Sequence, residues 1–236
     1  MGTVHDLLVA KGKQATRGLV DGRRGARVVE AAAAWSADED TGTGYMFSGW
    51  CQTALPHKRP TDNSSIWKLE TDSMMLLVEP GVRVAPGGTP MHVGVPFGAI
   101  ARLILIYLQS EALRTSSRDV ELGGSLRAFL GRLGISVGGD DSAQGTLFVE
   151  TARLSETFFN QLKQHAVPLD ESAIRHTRNS SMALNVYCWL AYRLHSLSAP
   201  KEISWAALAG QFGAGIQLRK HFKPAFTESL VLAQAV

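Results

Sequence analysis

The most constraining feature of the sequence is a row of apolar residues near its C-terminus, spaced four, four, four and three positions apart. The row consists of Leu218, Phe222, Phe226, Leu230 and Ala233. This spacing follows the 3.6-residue period of an α-helix, so it predicts a helix with one continuous apolar face. Polar and basic residues occupy other positions near the start of this helix. They are Gln217, Arg219, Lys220 and Lys223.

Two further helices are predicted upstream of this one. Ser180–His195 carries an apolar stripe of helical period, and Trp205–Phe212 follows Ser204, whose hydroxyl suits a helix N-cap. Gly213–Gly215 supplies a glycine turn between the second and third helices. A helix, a short turn and a helix with basic first turns form the layout of a helix-turn-helix motif. In that motif the second helix enters the DNA major groove.

Positive charge is concentrated in the same region. Residues 175–236 contain seven Lys or Arg and two Asp or Glu, whereas the rest of the chain contains 17 basic and 19 acidic residues. The net charge of +3 therefore hides a basic end on a nearly neutral body. A positive surface on a small helical module favours a partner with a phosphate backbone. The alternative, a basic helix face that is only hydrated, stays open.

A second region, residues 96–139, repeats this pattern. Ala101–Ser110 is predicted as an apolar helix, Val120–Leu122 as a short strand, and Gly124–Leu133 as a helix with basic residues on its outer face. Those basic residues are Arg127 and Arg132, and Arg114 and Arg118 lie in the segment before the helix. The repeated layout predicts two winged-helix-like units in tandem.

The remaining segments complete a fold class that is mostly α with small β. The sequence predicts helices over Thr3–Val20 and Ala26–Ala37, with a break at Gly22–Gly25, and a β-hairpin formed by Ile66–Glu70 and Met74–Glu79. Pro80–Pro90 is predicted as a turn-rich loop and Val167–Asp170 as a turn. The predicted division is an N-terminal region with a β-hairpin (1–95), a first winged-helix-like unit (96–139), a linker (140–146) and a second winged-helix domain (147–236).

No motif of the sequence points to catalysis. The chain contains no phosphate-binding P-loop, no His-Glu-x-x-His and no G-x-S-x-G, and its seven histidines are scattered. Its two cysteines do not form a Cys-x-x-Cys pair, which argues against a zinc site and a disulfide framework. We therefore expect no enzyme, no cofactor and no metal. No apolar run has the length of a bilayer and no secretory signal is present, so we expect a cytoplasmic protein with no membrane partner.

Four stretches of the chain resemble RepA-type initiators of plasmid replication. They are Ala54–Arg59, Pro96–Gly139, Ser181–His195 and Ile203–Ala214. The resemblance implies tandem winged-helix domains that bind repeated sites in double-stranded DNA at a plasmid origin and recruit host replication proteins. It implies recognition helices at about residues 217–235 and 124–133. The DNA contacts that it implies are Gln217, Arg219, Lys220, Lys223, Arg127, Arg132, Arg114 and Arg118.

Two differences from that family bear on the wings, the β-hairpins that flank the recognition helices. The segment after Val137–Gly139 is short, and the hairpin that normally follows the last helix is missing after Val236. The expectation is therefore that the wings are truncated. Two other functions stay open: a winged-helix transcriptional repressor of its own promoter, and a protein-interaction module without DNA binding. A homodimer is open as well.

Overall fold

A computed structural model describes residues 3–20, 22–38, 42–71, 74–85, 87–135, 150–216 and 219–236; for Thr3, Arg24, Leu126 and Arg219 it describes the backbone alone. The helices are α1 (Thr3–Gly18), α2 (Gly22–Ser36), α3 (Ser48–Gln52), α4 (Gly98–Arg114), α5 (Leu126–Arg132), α6 (Glu156–His165), α7 (Glu171–Thr177), α8 (Ser181–Ser196), α9 (Trp205–Phe212) and α10 (Arg219–Gln234). The strands are β1 (Thr43–Phe47), β2 (Trp67–Glu70), β3 (Met75–Val78), β4 (Gly81–Val84), β5 (Pro90–Gly94), β6 (Asp119–Glu121), β7 (Thr151–Arg153) and β8 (Ala166–Asp170). The predicted class, mostly α with small β, is confirmed.

Side-chain caps fix where five of these helices begin. The hydroxyl of Ser204 accepts a hydrogen bond from the Ala207 amide at 3.1 Å, as predicted, and α9 starts at the next residue. Ser180 and Asp170 cap α8 and α7 in the same way. Each cap satisfies one amide that the helix itself leaves without an acceptor. The helix starts around the C-terminal motif were therefore readable from local sequence.

Strand pairing connects distant parts of the chain. β1 pairs antiparallel with β8, with Thr43 opposite Asp170 and Phe47 opposite Ala166. The prediction of a turn at Val167–Asp170 was therefore wrong. Val167 and Leu169 alternate inward into the core, and Pro168 is tolerated because each strand of a two-stranded sheet has an open edge.

Two hairpins follow one another between residues 67 and 94. The predicted hairpin is confirmed, with β2 and β3 in antiparallel register from Trp67–Val78 to Glu70–Met75. The predicted loop over Pro80–Pro90 was wrong, because β4 and β5 form a second antiparallel hairpin there. Gly87 and Gly88 both have positive φ in the connection between these strands. Glycine reaches that backbone region without steric cost, so the residues that suggested a loop make the hairpin turn.

The N-terminal helices form a pair that packs on the C-terminal ones. The predicted break at Gly22–Gly25 lies too late, since α2 already starts at Gly22. Val28 and Ala32 of α2 pack with Ala235. Ala31 packs with Ala183 of α8 and Leu232 of α10. The α1–α2 pair therefore covers one side of the C-terminal helices.

The largest core cluster lies between α4, α8 and the β1–β8 pair. Leu103 and Ile106 of α4 pack with Leu184 and Cys188 of α8 and with Leu169 of β8. The predicted linker at residues 140–146 falls between α4 and α8 in sequence, so this core contains residues from both sides of it. The linker itself lies outside the described residues, and the division into domains stays a prediction.

Candidate nucleic-acid interface

Helix α10 presents a basic surface at its N-terminal end. Lys220 and Lys223 are both exposed there, and His221 between them is exposed as well. Gln217 lies outside the described residues, and for Arg219 only the backbone that begins the helix is described. Of the four C-terminal residues predicted to contact DNA, the structure thus locates two side chains, and both face solvent.

The opposite face of α10 is held by aromatic packing. Phe222 and Phe226 are each 2% exposed, and the Phe226 ring lies 5.3 Å from that of Phe212 in α9. The Phe212 ring in turn meets Trp189 of α8 edge-on at 5.4 Å. Large buried aromatic rings contribute most of the packing energy of a small helical unit. The predicted apolar face of the last helix is therefore confirmed at these positions.

Trp205 joins the exposed lysines to that aromatic packing. Its ring is 43% exposed and lies edge-on to Phe226, with centroids 6.0 Å apart. The Lys223 ammonium group sits over the same ring, 5.2 Å from its centroid, which is a cation–π arrangement. The first turn of α9 and the first turns of α10 therefore share one surface. The sequence placed Trp205 at the start of a helix and did not indicate a part for it in a site.

The C-terminal half of α10 is covered by α2. Arg27 and Glu228 form an ion pair of 3.3 Å across this contact, and Leu232 and Ala235 are buried beneath it. The exposed basic residues of α10 thus lie in its N-terminal turns, away from this contact. A recognition helix offers this same end to a DNA groove.

The four predicted arginines of the first unit occupy different surroundings. Arg114, at the end of α4, is exposed and donates to both carboxylate oxygens of Glu111 at 2.5 Å. Arg118 forms an ion pair of 3.5 Å with Glu156. Arg127 is exposed on α5, and Arg132 at the end of α5 donates to the Tyr107 hydroxyl at 3.2 Å. Arg114 and Arg132 line one cleft, and Arg118 and Arg127 are not part of its lining.

A short ribbon stands beside α5. β6 pairs with β7, and backbone hydrogen bonds from Leu122 to Glu150 and from Leu154 to Arg118 extend the pairing at both ends. An ion pair between Asp119 and Arg153 bridges the two strands. The sequence predicted a first unit with a truncated wing, and this ribbon is the β-structure that the described residues form there. Residues 136–149, before β7, lie outside the described part of the chain.

A buried arginine joins α4 to α8 and to the segment before α4. Arg102 of α4 is 3% exposed, and its Nε donates to Asn185 Oδ1 of α8 at 3.0 Å. Its terminal nitrogens donate to the carbonyls of Leu55 at 2.6 Å, Gly98 at 2.8 Å and Pro56 at 3.3 Å. Burial lowers the pKa of Arg102 to about 10, so the group is still charged at neutral pH. All of these acceptors are uncharged. They belong to α4, to α8 and to the segment between α3 and β2.

His57 continues this network toward α8 and α9. Its Nε2 lies 3.1 Å from the Phe212 carbonyl, which can only accept, so the hydrogen sits on Nε2. Its Nδ1 then accepts from Ser181 Oγ at 3.0 Å and from Arg102 at 3.4 Å. Burial, with the nearby Arg102 charge as the next cause, lowers the pKa of His57 to about 4. The imidazole is therefore neutral at physiological pH.

The network brings together the four stretches that resemble RepA-type proteins. His57 belongs to Ala54–Arg59, Arg102 to Pro96–Gly139, Ser181 to Ser181–His195 and Phe212 to Ile203–Ala214. Stretches that are far apart in sequence thus meet at one buried hydrogen-bonded site. Patterns along the sequence do not indicate which distant segments contact one another, so this buried site could not be predicted from them.

Other kinds of site have little support in the described residues. Cys51 and Cys188 are buried free thiols, and burial raises the pKa of Cys188 to about 12, so it is not a ready nucleophile. No three His, Cys, Asp or Glu side chains within the described ranges gather as they would around a metal ion. None of the described helices combines the length and the apolar character that crossing a bilayer requires.

One family model matches part of this chain. Residues 136–207 match the family model described as plasmid encoded RepA protein. The match runs from the end of the first predicted unit to the start of α9, and so contains the whole of α8. It confirms the resemblance to RepA-type plasmid replication proteins. Comparisons with curated proteins and with solved structures gave no match.

Proposed function

We propose that this protein is a plasmid replication initiator that binds repeated double-stranded sites at a plasmid origin. The supporting observation is that α10 exposes Lys220 and Lys223 in its first turns, while α2 packs against one face of its C-terminal half. Lysine and arginine at the start of a helix can reach phosphates and base edges when that helix enters the major groove. Gln217 and Arg219 complete the proposed contact set.

The first unit supplies a second set of DNA contacts in this proposal. α4, β6, α5 and the β6–β7 ribbon follow the order of a winged helix, which supports tandem winged-helix domains with a short first wing. Exposed Arg127 lies on α5, and Arg114, Arg118 and Arg132 surround it in sequence. We assign the protein no catalytic activity, a cytoplasmic location and a role in recruiting host replication proteins to the bound origin.

The proposal is tested by a gel-shift series with the full chain and the DNA upstream of its own coding sequence. Affinity carried by phosphate contacts is expected to fall steeply between about 50 and about 200 mM salt. A site made of tandem direct repeats beside an AT-rich tract supports the initiator. A single inverted repeat supports a transcriptional repressor instead, and no salt-sensitive shift supports an interaction module that does not bind DNA.

A further inference from the structure

A large cleft opens between the two predicted units, apart from α10. It is bounded by α4, the β6–β7 ribbon, the C-terminal end of α5 and α7, and its volume is about 1320 Å³. Small-molecule sites typically measure about 300–1,000 Å³, so the cleft can hold a nucleotide or a short length of polymer. Its walls combine apolar side chains with hydroxyl groups and charged side chains.

The charged lining consists of five arginines and four carboxylates. The arginines are Arg114, Arg132, Arg153, Arg175 and Arg178, and the carboxylates are those of Glu111, Asp119, Glu121 and Glu171. Three of the five arginines have carboxylate partners: Arg114 pairs with Glu111, Arg153 with Asp119, and Arg175 with Asp38. Arg132 and Arg178 have no carboxylate partner among the residues that the structure describes. Within the described part of the chain these two guanidinium groups are therefore not neutralised by an ion pair, and the lining also holds the carboxylates of Glu121 and Glu171.

One of these two guanidinium groups is held by a neutral hydrogen bond. Arg132 donates to the Tyr107 hydroxyl at 3.2 Å, and Tyr107 in turn donates to the Glu121 carbonyl at 3.0 Å. The guanidinium of Arg178 lies beside Gly134, where a Cβ would meet its Nη1. A guanidinium that is already positioned loses less side-chain entropy when it binds a ligand.

We propose that this cleft binds a phosphate-bearing ligand, either a nucleotide or a nucleic-acid strand. Arg132 and Arg178 would hold its phosphate. The guanidinium fork matches the oxygens of a phosphate with two parallel hydrogen bonds. Glu121 and Glu171 also line the cleft, and their oxygens can accept from sugar hydroxyl or base amino groups. A lining with both kinds of group fits a nucleotide unit better than it fits inorganic phosphate.

This site is separate from the proposed duplex contact on α10, although Arg132 was also predicted to contact DNA. If the ligand is a nucleic-acid strand, the cleft is a second DNA-binding surface of the proposed initiator, and this inference then rests on the proposed function. If the ligand is a free nucleotide, the cleft stands independently. Variants on α10 and variants in the cleft therefore report on different claims.

The test measures binding of ATP, a short single-stranded oligothymidylate and inorganic phosphate to the full chain by titration calorimetry. We expect at least one of the two nucleotide ligands to bind more tightly than inorganic phosphate, and Arg178→Gln to weaken that binding about tenfold. Arg178→Lys keeps the charge and is expected to retain more of the affinity. Arg83→Gln on β4, an exposed position away from the cleft, is the matched control and is expected to change nothing.

Three results would overturn the proposal: no binding of either nucleotide ligand, tighter binding of inorganic phosphate, or equal affinity of wild type and a folded Arg178→Gln variant. Thermal unfolding of each variant shows whether it is folded. A Lys220→Gln/Lys223→Gln variant that loses duplex binding but keeps the cleft ligand supports both claims. If that variant loses duplex binding and the wild type binds neither nucleotide ligand, only the cleft proposal fails.

Discussion

Arg102 on α4 and Asn185 on α8 are joined by a buried hydrogen bond of 3.0 Å. The Asn185 amide nitrogen in turn donates to the Thr53 carbonyl at 3.3 Å, so the pair also ties down the segment that leads to His57. Arg102 is only 3% exposed, and of its three carbonyl acceptors the Pro56 carbonyl also accepts from the Gly98 amide at 2.9 Å. The relative position of α4 and α8 therefore depends on a charged side chain inside an otherwise apolar interface.

Replacing Arg102 tests this dependence. Arg102→Met removes the donor to the Leu55 carbonyl and to Asn185 Oδ1. Each buried acceptor left unsatisfied costs about 1–3 kcal/mol, so we expect the free energy of unfolding to fall by about 2–6 kcal/mol. Arg102→Lys restores the charge but not the planar fork, and an intermediate loss is expected. Urea denaturation measures both. Arg83→Met on exposed β4 is the control, with an expected change within about 0.5 kcal/mol.

The pH dependence of stability tests the state of His57. Its pKa in the folded protein is about 4, below the ordinary value of 6.5, so the unfolded chain binds more protons between these values. The stabilisation by neutral His57 is therefore complete above pH 6.5 and is lost as the pH falls toward 4, for a total of about 3 kcal/mol.

The measurement compares unfolding free energies at pH 7 and at acid pH for wild type and His57→Gln. Glutamine does not titrate, so the variant is expected to lose less stability on acidification than the wild type. Parallel losses in the two proteins would mean that His57 is not the group responsible.

Phe226 tests the aromatic support of the proposed recognition helix. It is 2% exposed and its ring lies within 6.0 Å of the rings of Phe212, Phe222 and Trp205. Phe226→Ala is expected to cost about 3–5 kcal/mol, since it removes a large ring and leaves a cavity. Val231→Ala on the same helix, where the side chain is 38% exposed, is expected to cost far less. Similar losses for the two variants would argue against this packing.

Ala183 tests how α2 docks on the C-terminal helices. Its side chain is fully buried between Ala31 of α2 and Leu232 of α10. Ala183→Leu adds volume where none is free, so we expect a loss of about 1–3 kcal/mol from overpacking. Ala206→Leu, at an exposed position on α9, is the matched control. A variant as stable as the control would show that α2 does not pack tightly here.

Local features of the fold were predictable because local physics decides them. The Ser204 cap, the start of α9 and the apolar face with Phe222 and Phe226 follow from hydroxyl chemistry and helical spacing, and the structure bears them out. The β2–β3 hairpin is equally local. The second hairpin was not predicted because its Gly- and Pro-rich sequence has low strand propensity. The pairing of β4 with β5 outweighs that low propensity in the fold.

Long-range features were not predictable from patterns along the chain. β8 pairs with β1, which lies more than a hundred residues earlier in the chain. Without knowledge of that partner, Pro168 suggested a turn in place of a strand. In the sequence Arg102 only interrupts an apolar run, and its acceptors come from a loop and from α8. Arg178 carried no motif, and its place beside Gly134 depends on how α5 and α7 pack.

The central claim, that the first turns of α10 bind duplex DNA, is tested most directly by the salt dependence of binding. The equilibrium constant of the full chain for its upstream DNA is measured over a salt series for wild type and for Lys220→Gln/Lys223→Gln. Lys11→Gln/Arg83→Gln, which removes two exposed charges elsewhere, is the control. We predict that the slope of log K against log salt becomes shallower by about 1.8 in the α10 variant, since each lost phosphate contact contributes about 0.9. An unchanged slope and affinity in that variant would contradict the account.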